Sequence, residues 1–93
     1  MSEWINVKDG MPEENMAVIV TWVNHDPPFY YHDMKDTPQV DTAVFFRDKW
    51  YWWDSTIEDV LGEYGRADGR EMDYAIEVTH WQYMPEPPKE VSE

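Results

Sequence analysis

The side chains of this sequence that could do chemistry are three histidines and a large number of carboxylates. His25 and His32 lie seven residues apart, each is followed directly by an aspartate, and Pro27 and Pro28 lie between them. Histidine nitrogens and carboxylate oxygens are accepted zinc ligands, and a late segment of the chain supplies His80 as a third candidate. The spacing matches no compact pair, such as two histidines one turn apart on a helix. A polar surface loop is the simpler interpretation, and a metal site formed by His25, His32 and His80 is the alternative.

The carboxylates are concentrated in residues 54–77. This segment contains eight acids (Asp54, Glu58, Asp59, Glu63, Asp68, Glu71, Asp73 and Glu77) against two bases, Arg66 and Arg70. General acid–base catalysis requires a carboxylate or histidine whose pKa is tuned within a pocket. With this many acids in the sequence, no particular pair is identified as catalytic. The chain also lacks a glycine-rich phosphate loop, a nucleophile elbow and any cysteine. The sequence therefore predicts that the protein is not an enzyme and uses no cofactor.

The charge imbalance extends over the whole chain. Twenty Asp and Glu residues stand against seven Lys and Arg, which gives a formal net charge of -13 over 93 residues. Such a surface repels nucleic acid and anionic membranes and attracts basic protein surfaces. Since 42% of the residues are hydrophobic and 16% are aromatic, the chain has enough apolar material to fold despite this charge. We expect one domain over residues 1–88 and a frayed acidic tail over residues 89–93.

The composition also indicates where the protein works. The absence of cysteine fits a reducing compartment. Residues 1–4 lack the basic and apolar regions of a signal peptide, and no apolar run approaches the ~20 residues that span a bilayer. We expect a cytoplasmic protein with no membrane contact.

Four stretches have the composition of strands. The run 16–23 is apolar and β-branched, 40–47 and 50–53 flank Asp48-Lys49 as in a hairpin, and 74–83 forms a last strand. Alternation places Trp50 and Trp52 on one face of their strand and Tyr51 on the other. This arrangement favours core packing over a stacking platform for single-stranded nucleic acid, which a net charge of -13 would repel. Residues 24–39 include Pro27, Pro28 and Pro38, and these prolines predict a loop.

One short helix is predicted between the hairpin and the last strand. Ser55 and Glu58 have the spacing of a capping box. Apolar side chains then recur at helical spacing up to Tyr64, and Gly62 or Gly65 would end the helix. The expected fold is therefore α+β: a small, mainly antiparallel sheet of three to five strands with one short helix.

Both ends and the middle of the chain resemble a known family. Three parts of the chain carry the pattern: the opening Trp4-Ile5-x-Val7 with Pro12-Glu13-Glu14, the central 42–46 with Trp50-Tyr51, and the closing Val78-Thr79-His80-Trp81-x-x-Met84-Pro85-x-Pro87-Pro88. Together they resemble short phage and prophage proteins catalogued as domain-of-unknown-function family 551. The resemblance implies a small β-rich fold and a phage or prophage origin, and it carries no assigned chemistry. Within the pattern, we expect Trp4 and Trp81 to pack together, and His80 to lie on the face opposite Trp81 as a hydrogen-bonding residue.

These observations favour a non-enzymatic binding protein. We expect its carboxylates to contact a basic, nucleic-acid-binding host protein, such as a restriction or CRISPR nuclease, as a mimic of nucleic acid. The expected contact residues are Asp54, Glu58, Asp59, Glu63, Asp68, Glu71 and Asp73. The alternatives are the histidine metal site and an accessory domain that binds a partner protein through exposed aromatic side chains. A monomer and a small homo-oligomer are both compatible with the sequence.

Overall fold

Five strands form one antiparallel sheet in the computed structural model of the chain, which describes residues 3–85. The strands are β1 (Ile5–Asn6), β2 (Val18–Asn24), β3 (Gln39–Phe46), β4 (Lys49–Trp52) and β5 (Ile76–Tyr83), in the spatial order β1-β5-β2-β3-β4. A 3-10 helix, Phe29–Met34, follows β2, and the α-helix α1, Ile57–Tyr64, follows β4. The predicted α+β class is confirmed. The predicted tail, residues 89–93, lies outside the described residues.

The β3–β4 hairpin is present, but its turn is one residue earlier than predicted. Phe46 pairs with Lys49, so the two turn residues are Arg47 and Asp48, and both have positive φ, 50° and 66°. Two-residue hairpins prefer this left-handed conformation because it matches the strand twist, although it is strained for residues other than glycine. The backbone N–H of Arg47 donates to a carboxylate oxygen of Glu14 at 3.0 Å. A contact from a distant segment therefore holds a turn that its own residues do not favour.

The two faces of the sheet carry separate apolar clusters. Neighbouring residues of β3, Ala43 and Val44, are both fully buried but belong to different clusters, as expected because side chains alternate across a strand. The first cluster joins Ala43 to buried side chains of β2 and β5, with Trp50 and Trp52 packed against it. The second joins Val44 to Tyr51 and to α1. The alternation predicted for residues 50–52 is confirmed.

Helix α1 covers one face of the β3–β4 hairpin. Ile57 and Leu61 are completely buried in the second cluster, and they lie four residues apart on one side of the helix. After α1, residues 70–72 run along the free edge of β4: Trp52 N–H donates to Arg70 O at 2.8 Å, and Met72 N–H donates to Trp50 O at 3.0 Å. This segment covers an edge that would otherwise expose unpaired backbone groups.

The two ends of the described chain meet at β1 and β5. Ile5, rather than Trp4, lies opposite Trp81. Trp4 is 42% exposed, and the ring of Trp81 packs against Tyr83 at 5.1 Å between centroids. The predicted tie between the ends is therefore made by the strand pairing and by Ile5. Within residues 3–85, no helix is long and apolar enough to cross a bilayer.

Candidate functional site

Helix α1 is positioned by Asp54 instead of by the predicted capping box. The N-cap is Thr56, whose side chain makes no capping hydrogen bond. Asp54 Oδ1 accepts hydrogen bonds from the backbone N–H of Thr56 at 2.9 Å and from its hydroxyl at 3.0 Å. Arg70 Nε–H donates to the other oxygen of Asp54. The capping-box prediction at Ser55 was wrong because an acceptor one residue earlier organises the turn before the helix.

Asp54 is consequently a structural residue. Its pKa is held below the ordinary value, chiefly because its carboxylate accepts the backbone N–H of Thr56, and further because it accepts the Thr56 hydroxyl and the Arg70 guanidinium. These donors favour the ionised form. They also occupy the oxygens that a partner would need, so Asp54 is poorly suited to the contact role that the sequence predicted for it.

Two further acids of the predicted contact set lie beside bases. Glu71 is 3.5 Å from Lys49 Nζ, and Asp68 is 3.7 Å from Arg66 Nε. Both pairs are exposed, and exposed pairs of this kind contribute little to stability. They do, however, reduce the local negative potential around these two carboxylates.

The remaining predicted acids keep their charge available to solvent. Glu58, Asp59 and Glu63 are exposed on α1, and Asp73 is exposed in the segment before β5. None of these four forms an ion pair with another residue of 3–85. Asp73 bonds locally to the backbone N–H of Tyr74 at 2.8 Å. The three carboxylates of α1 therefore form the strongest candidate for a charged contact.

The structure adds one acid that the sequence analysis missed. Asn15, in the loop before β2, donates its side-chain N–H to the backbone oxygen of Glu58 at 3.2 Å, which fixes this loop beside α1. Its neighbour Glu14 is exposed, and one of its two carboxylate oxygens accepts the backbone N–H of Arg47, which leaves the other for a partner. We call Glu14, Glu58, Asp59 and Glu63 the acidic helix surface. No local pattern assigns Glu14 to it, because the contact joins residues 43 positions apart.

A base near the end of α1 marks one limit of this surface. Gly65 ends the helix with φ 77°, and a Cβ placed there would lie 2.7 Å from Nη1 of Arg47. The guanidinium thus lies at the helix C-terminus, where a cation interacts favourably with the helix dipole. At the other end, Glu58 and Asp59 occupy the first turn, where carboxylates are favoured. Glu58 and Asp59 therefore also stabilise the helix that carries them, whereas Glu63, in the last turn, does not.

The three histidines do not converge. His25 follows β2, whereas His80 lies opposite Thr21; four residues of extended chain separate the two positions by about 13 Å. His32 is exposed in the 3-10 helix. The described residues contain no group of three histidine or acidic side chains arranged to hold a metal ion. His80 lies on the face opposite Trp81 and bonds the Thr79 hydroxyl at 3.0 Å, as expected for a hydrogen-bonding residue.

His25 instead bridges two carboxylates. Its Nδ1 is 2.5 Å from Asp36 and its Nε2 is 2.8 Å from Glu77. Because both ring nitrogens face acceptors, the arrangement favours the doubly protonated imidazolium. The pKa of His25 is raised above 6.5, first by the hydrogen bond to Glu77 and then by the bond to Asp36. The contact fixes the loop after β2 to the start of β5.

A small open pocket lies beside β1 and β5. It has a volume of about 220 Å³ and is lined by Asn6, Val7, Lys8, Glu77, Thr79 and His80. Ligand pockets usually exceed about 300 Å³ and enclose most of the ligand. The Thr79 hydroxyl that His80 bonds in this pocket is also bonded to the Thr21 hydroxyl at 2.8 Å. Because the pocket is small and open, the acidic helix surface remains the better candidate site.

The comparisons with known proteins identify a family but no activity. The family described as "Protein of unknown function (DUF551)" matches residues 3–89. The match covers nearly the whole chain and agrees with the resemblance of its two ends. Neither a curated protein nor a solved structure matches the chain significantly.

Proposed function

We propose that this chain, which belongs to the DUF551 family, is a non-enzymatic binding protein whose acidic helix surface contacts a basic surface of a nucleic-acid-binding protein. The observation that carries the proposal is the set of three exposed carboxylates on α1, Glu58, Asp59 and Glu63, without an ion-pair partner in residues 3–85. The family supplies no activity, so the argument rests on the charge and geometry of this surface.

The net charge of the protein supports a basic partner, and its size can be compared with the charge of a DNA duplex of equal length. The longest dimension of the molecule is 46 Å, and duplex DNA of that length carries about 27 phosphates. The net charge of -13 is roughly half of that number. Average charge density therefore falls short of a duplex, and the local concentration of carboxylates on α1 must supply the resemblance to a phosphate backbone.

The rigidity of α1 also supports this role. Ile57 and Leu61 are fully buried beneath the helix, so the exposed carboxylates project from an element that is held in place before binding. A surface that is already ordered loses little conformational entropy on association. Rim carboxylates of this kind mainly increase the association rate and make affinity dependent on salt.

The more specific form of the proposal is inhibition of a defence nuclease in the cytoplasm of a phage host, as an anti-restriction or anti-CRISPR protein. It is supported by the phage-like sequence pattern and by the fact that such nucleases present basic grooves to DNA. In this form, occupation of the groove by the acidic helix surface excludes the nucleic acid.

The test is competition with DNA. Host proteins retained on the immobilised chain at about 50 mM salt and released at about 500 mM salt would be purified and titrated with a labelled duplex. We expect the wild-type chain to displace the duplex. The variant E58Q/D59N/E63Q should require a concentration about 3 to 160 times higher, since each of the three exposed charges contributes about 0.2–1 kcal/mol.

A matched variant controls for net charge. Glu3, Asp9 and Asp41 are exposed and form no ion pair within residues 3–85, so E3Q/D9N/D41N removes the same charge away from α1. It should compete nearly as well as the wild type. Equal competition by both triple variants would show that net charge alone matters, and the acidic helix surface would then lose its role.

A further inference from the structure

The loop between β2 and β3 carries three consecutive aromatic side chains that the fold does not use. Phe29, Tyr30 and Tyr31 are 87%, 69% and 57% exposed, and no residue of their 3-10 helix is buried. Their rings contact only one another within the described aromatic pairs, with centroids 5.6 Å apart for Phe29–Tyr30 and 4.9 Å apart for Tyr30–Tyr31. Large apolar side chains exposed together mark an interaction site. We call these three residues the aromatic knob.

The knob is held in a defined position despite its exposure. At its base, His25 N–H donates to Ala75 O at 2.9 Å, and Asp36 N–H donates to Asn24 O at 3.0 Å. The imidazole of His25 adds the bridge between Asp36 and Glu77. Both ends of the loop are therefore fixed to β2 and to the start of β5, and the rings between them are presented rather than left on a free chain.

The charges beside the knob select the chemistry of its partner. Asp26 and Asp33 belong to the same loop and form no ion pair within residues 3–85, whereas Asp36 is paired with His25 and the loop also contains Lys35. A second copy of this chain would bring another net charge of -13, and a nucleic acid or an anionic membrane would bring phosphates. Like-charge repulsion opposes all three. A surface that offers cations to the carboxylates and planar groups to the rings satisfies both features.

We propose that the aromatic knob is a second docking site, specific for arginine side chains of a basic partner protein. Guanidinium groups stack on aromatic faces and pair with carboxylates in a bidentate way, whereas the lysine ammonium group is a compact, strongly hydrated charge. The proposal deepens the proposed function, because it rests on a basic partner. It adds arginine as the recognised side chain and a surface separate from α1.

The experiment compares octa-arginine with octa-lysine, two peptides of equal length and charge, in calorimetric titrations of the whole protein at about 50 mM salt. We expect the wild type to bind octa-arginine more tightly. F29A/Y30A/Y31A should lose about tenfold in affinity for octa-arginine, since each exposed cation–π contact is worth roughly a factor of two to five. It should lose less for octa-lysine. The melting temperature should stay unchanged, because the knob contributes nothing to the core.

Two control variants separate this proposal from the previous one. Tyr64→Ala removes an aromatic side chain that is 71% exposed on α1 and should keep the preference for arginine. E58Q/D59N/E63Q should weaken the binding of both peptides and leave octa-arginine preferred, because the knob is intact, so a failure of the acidic helix surface is distinguishable from a failure of the knob.

Three results would overturn the proposal. The first is a wild type that binds the two peptides equally well, and the second is a triple knob variant that keeps its preference for octa-arginine. The third is a wild-type dimer in light scattering that becomes monomeric in F29A/Y30A/Y31A, which would assign the knob to a second copy of this chain.

Discussion

Substitution of single glycines by alanine tests where α1 ends and what its end contacts. The sequence offered Gly62 and Gly65 as alternative ends, and the structure places Gly65 in the left-handed conformation with φ 77°. Gly62 lies inside the helix, where a Cβ would come no closer than 4.0 Å to its nearest neighbour, the side chain of Asn15. The same substitution should therefore have opposite effects at two positions three residues apart.

The expected magnitudes follow from the backbone conformations. Gly62→Ala should stabilise the protein by about 0.5–1 kcal/mol, because glycine is unfavourable inside a helix. Gly65→Ala should destabilise it by about 1–2 kcal/mol for the left-handed conformation, and by about 0.3–1 kcal/mol more if Arg47 is displaced from the helix C-terminus. Gly69 is a matched control, since it has φ 84° and a Cβ placed there would meet nothing within 4 Å. Gly69→Ala should show the backbone cost alone.

Urea unfolding followed by tryptophan fluorescence measures these differences, with the denaturant slope as a check that two-state behaviour is retained. In a domain of this size, 1 kcal/mol corresponds to about 4–8 °C in melting temperature, so the three variants are easily ranked. The order Gly62→Ala, wild type, Gly69→Ala, Gly65→Ala is expected from most to least stable. A destabilising Gly62→Ala would place the helix end at Gly62 and refute the description of α1.

Three other substitutions test the core, the cap and the histidine bridge. Leu61→Ala should cost about 2–5 kcal/mol, since Leu61 is fully buried; a smaller loss in urea unfolding would contradict the packing of α1 on the sheet. Asp54→Ala should lower the melting temperature and Ser55→Ala should leave it nearly unchanged. The reverse result would show that the capping box predicted at Ser55 forms after all. For His25→Gln, the raised pKa means that the bridge stabilises the folded state fully below about pH 6.5 and less as pH rises through the folded pKa. The stability difference from wild type should therefore be larger at about pH 5.5 than at about pH 8.5, and an equal difference at both would exclude a protonated bridge.

Local patterns predicted strands β2 to β5 and helix α1, but neither β1 nor the 3-10 helix. The continuous apolar run of β2 and the glycine after Tyr64 were readable because the residues concerned are neighbours in sequence or one helical turn apart. The hairpin turn lies one residue earlier than predicted, and its backbone N–H at Arg47 is bonded by Glu14, 33 positions before it. A pattern confined to a few residues contains no information about such a contact.

In the candidate site, too, some features follow from local sequence and others depend on contacts between distant residues. Exposure of Asp59 and Glu63 follows from the helical period, because residues two positions before and after the buried Leu61 lie on the opposite side of the helix. The role of Asp54 depends on Arg70, 16 residues later, and the position of His25 depends on Glu77, 52 residues later. The sequence therefore gives the number of carboxylates. The fold is needed to show which of them form contacts within the protein and which are available to a partner.

The two proposed surfaces differ in how much of their support is buried, and they should therefore respond differently to salt and to pH. The acidic helix surface stands on side chains that are completely buried, so its geometry persists as long as the domain is folded, and salt acts on it only by screening its charges. The aromatic knob has no buried residue of its own and is fixed by exposed hydrogen bonds and by the bridge at His25. Its position is thus sensitive to the protonation of one imidazole, while stacking on its rings depends less on salt than the carboxylate contacts of α1 do. A partner that engages both surfaces would lose the helix contact first as salt rises, and would lose the knob contact first as pH rises through the pKa of His25.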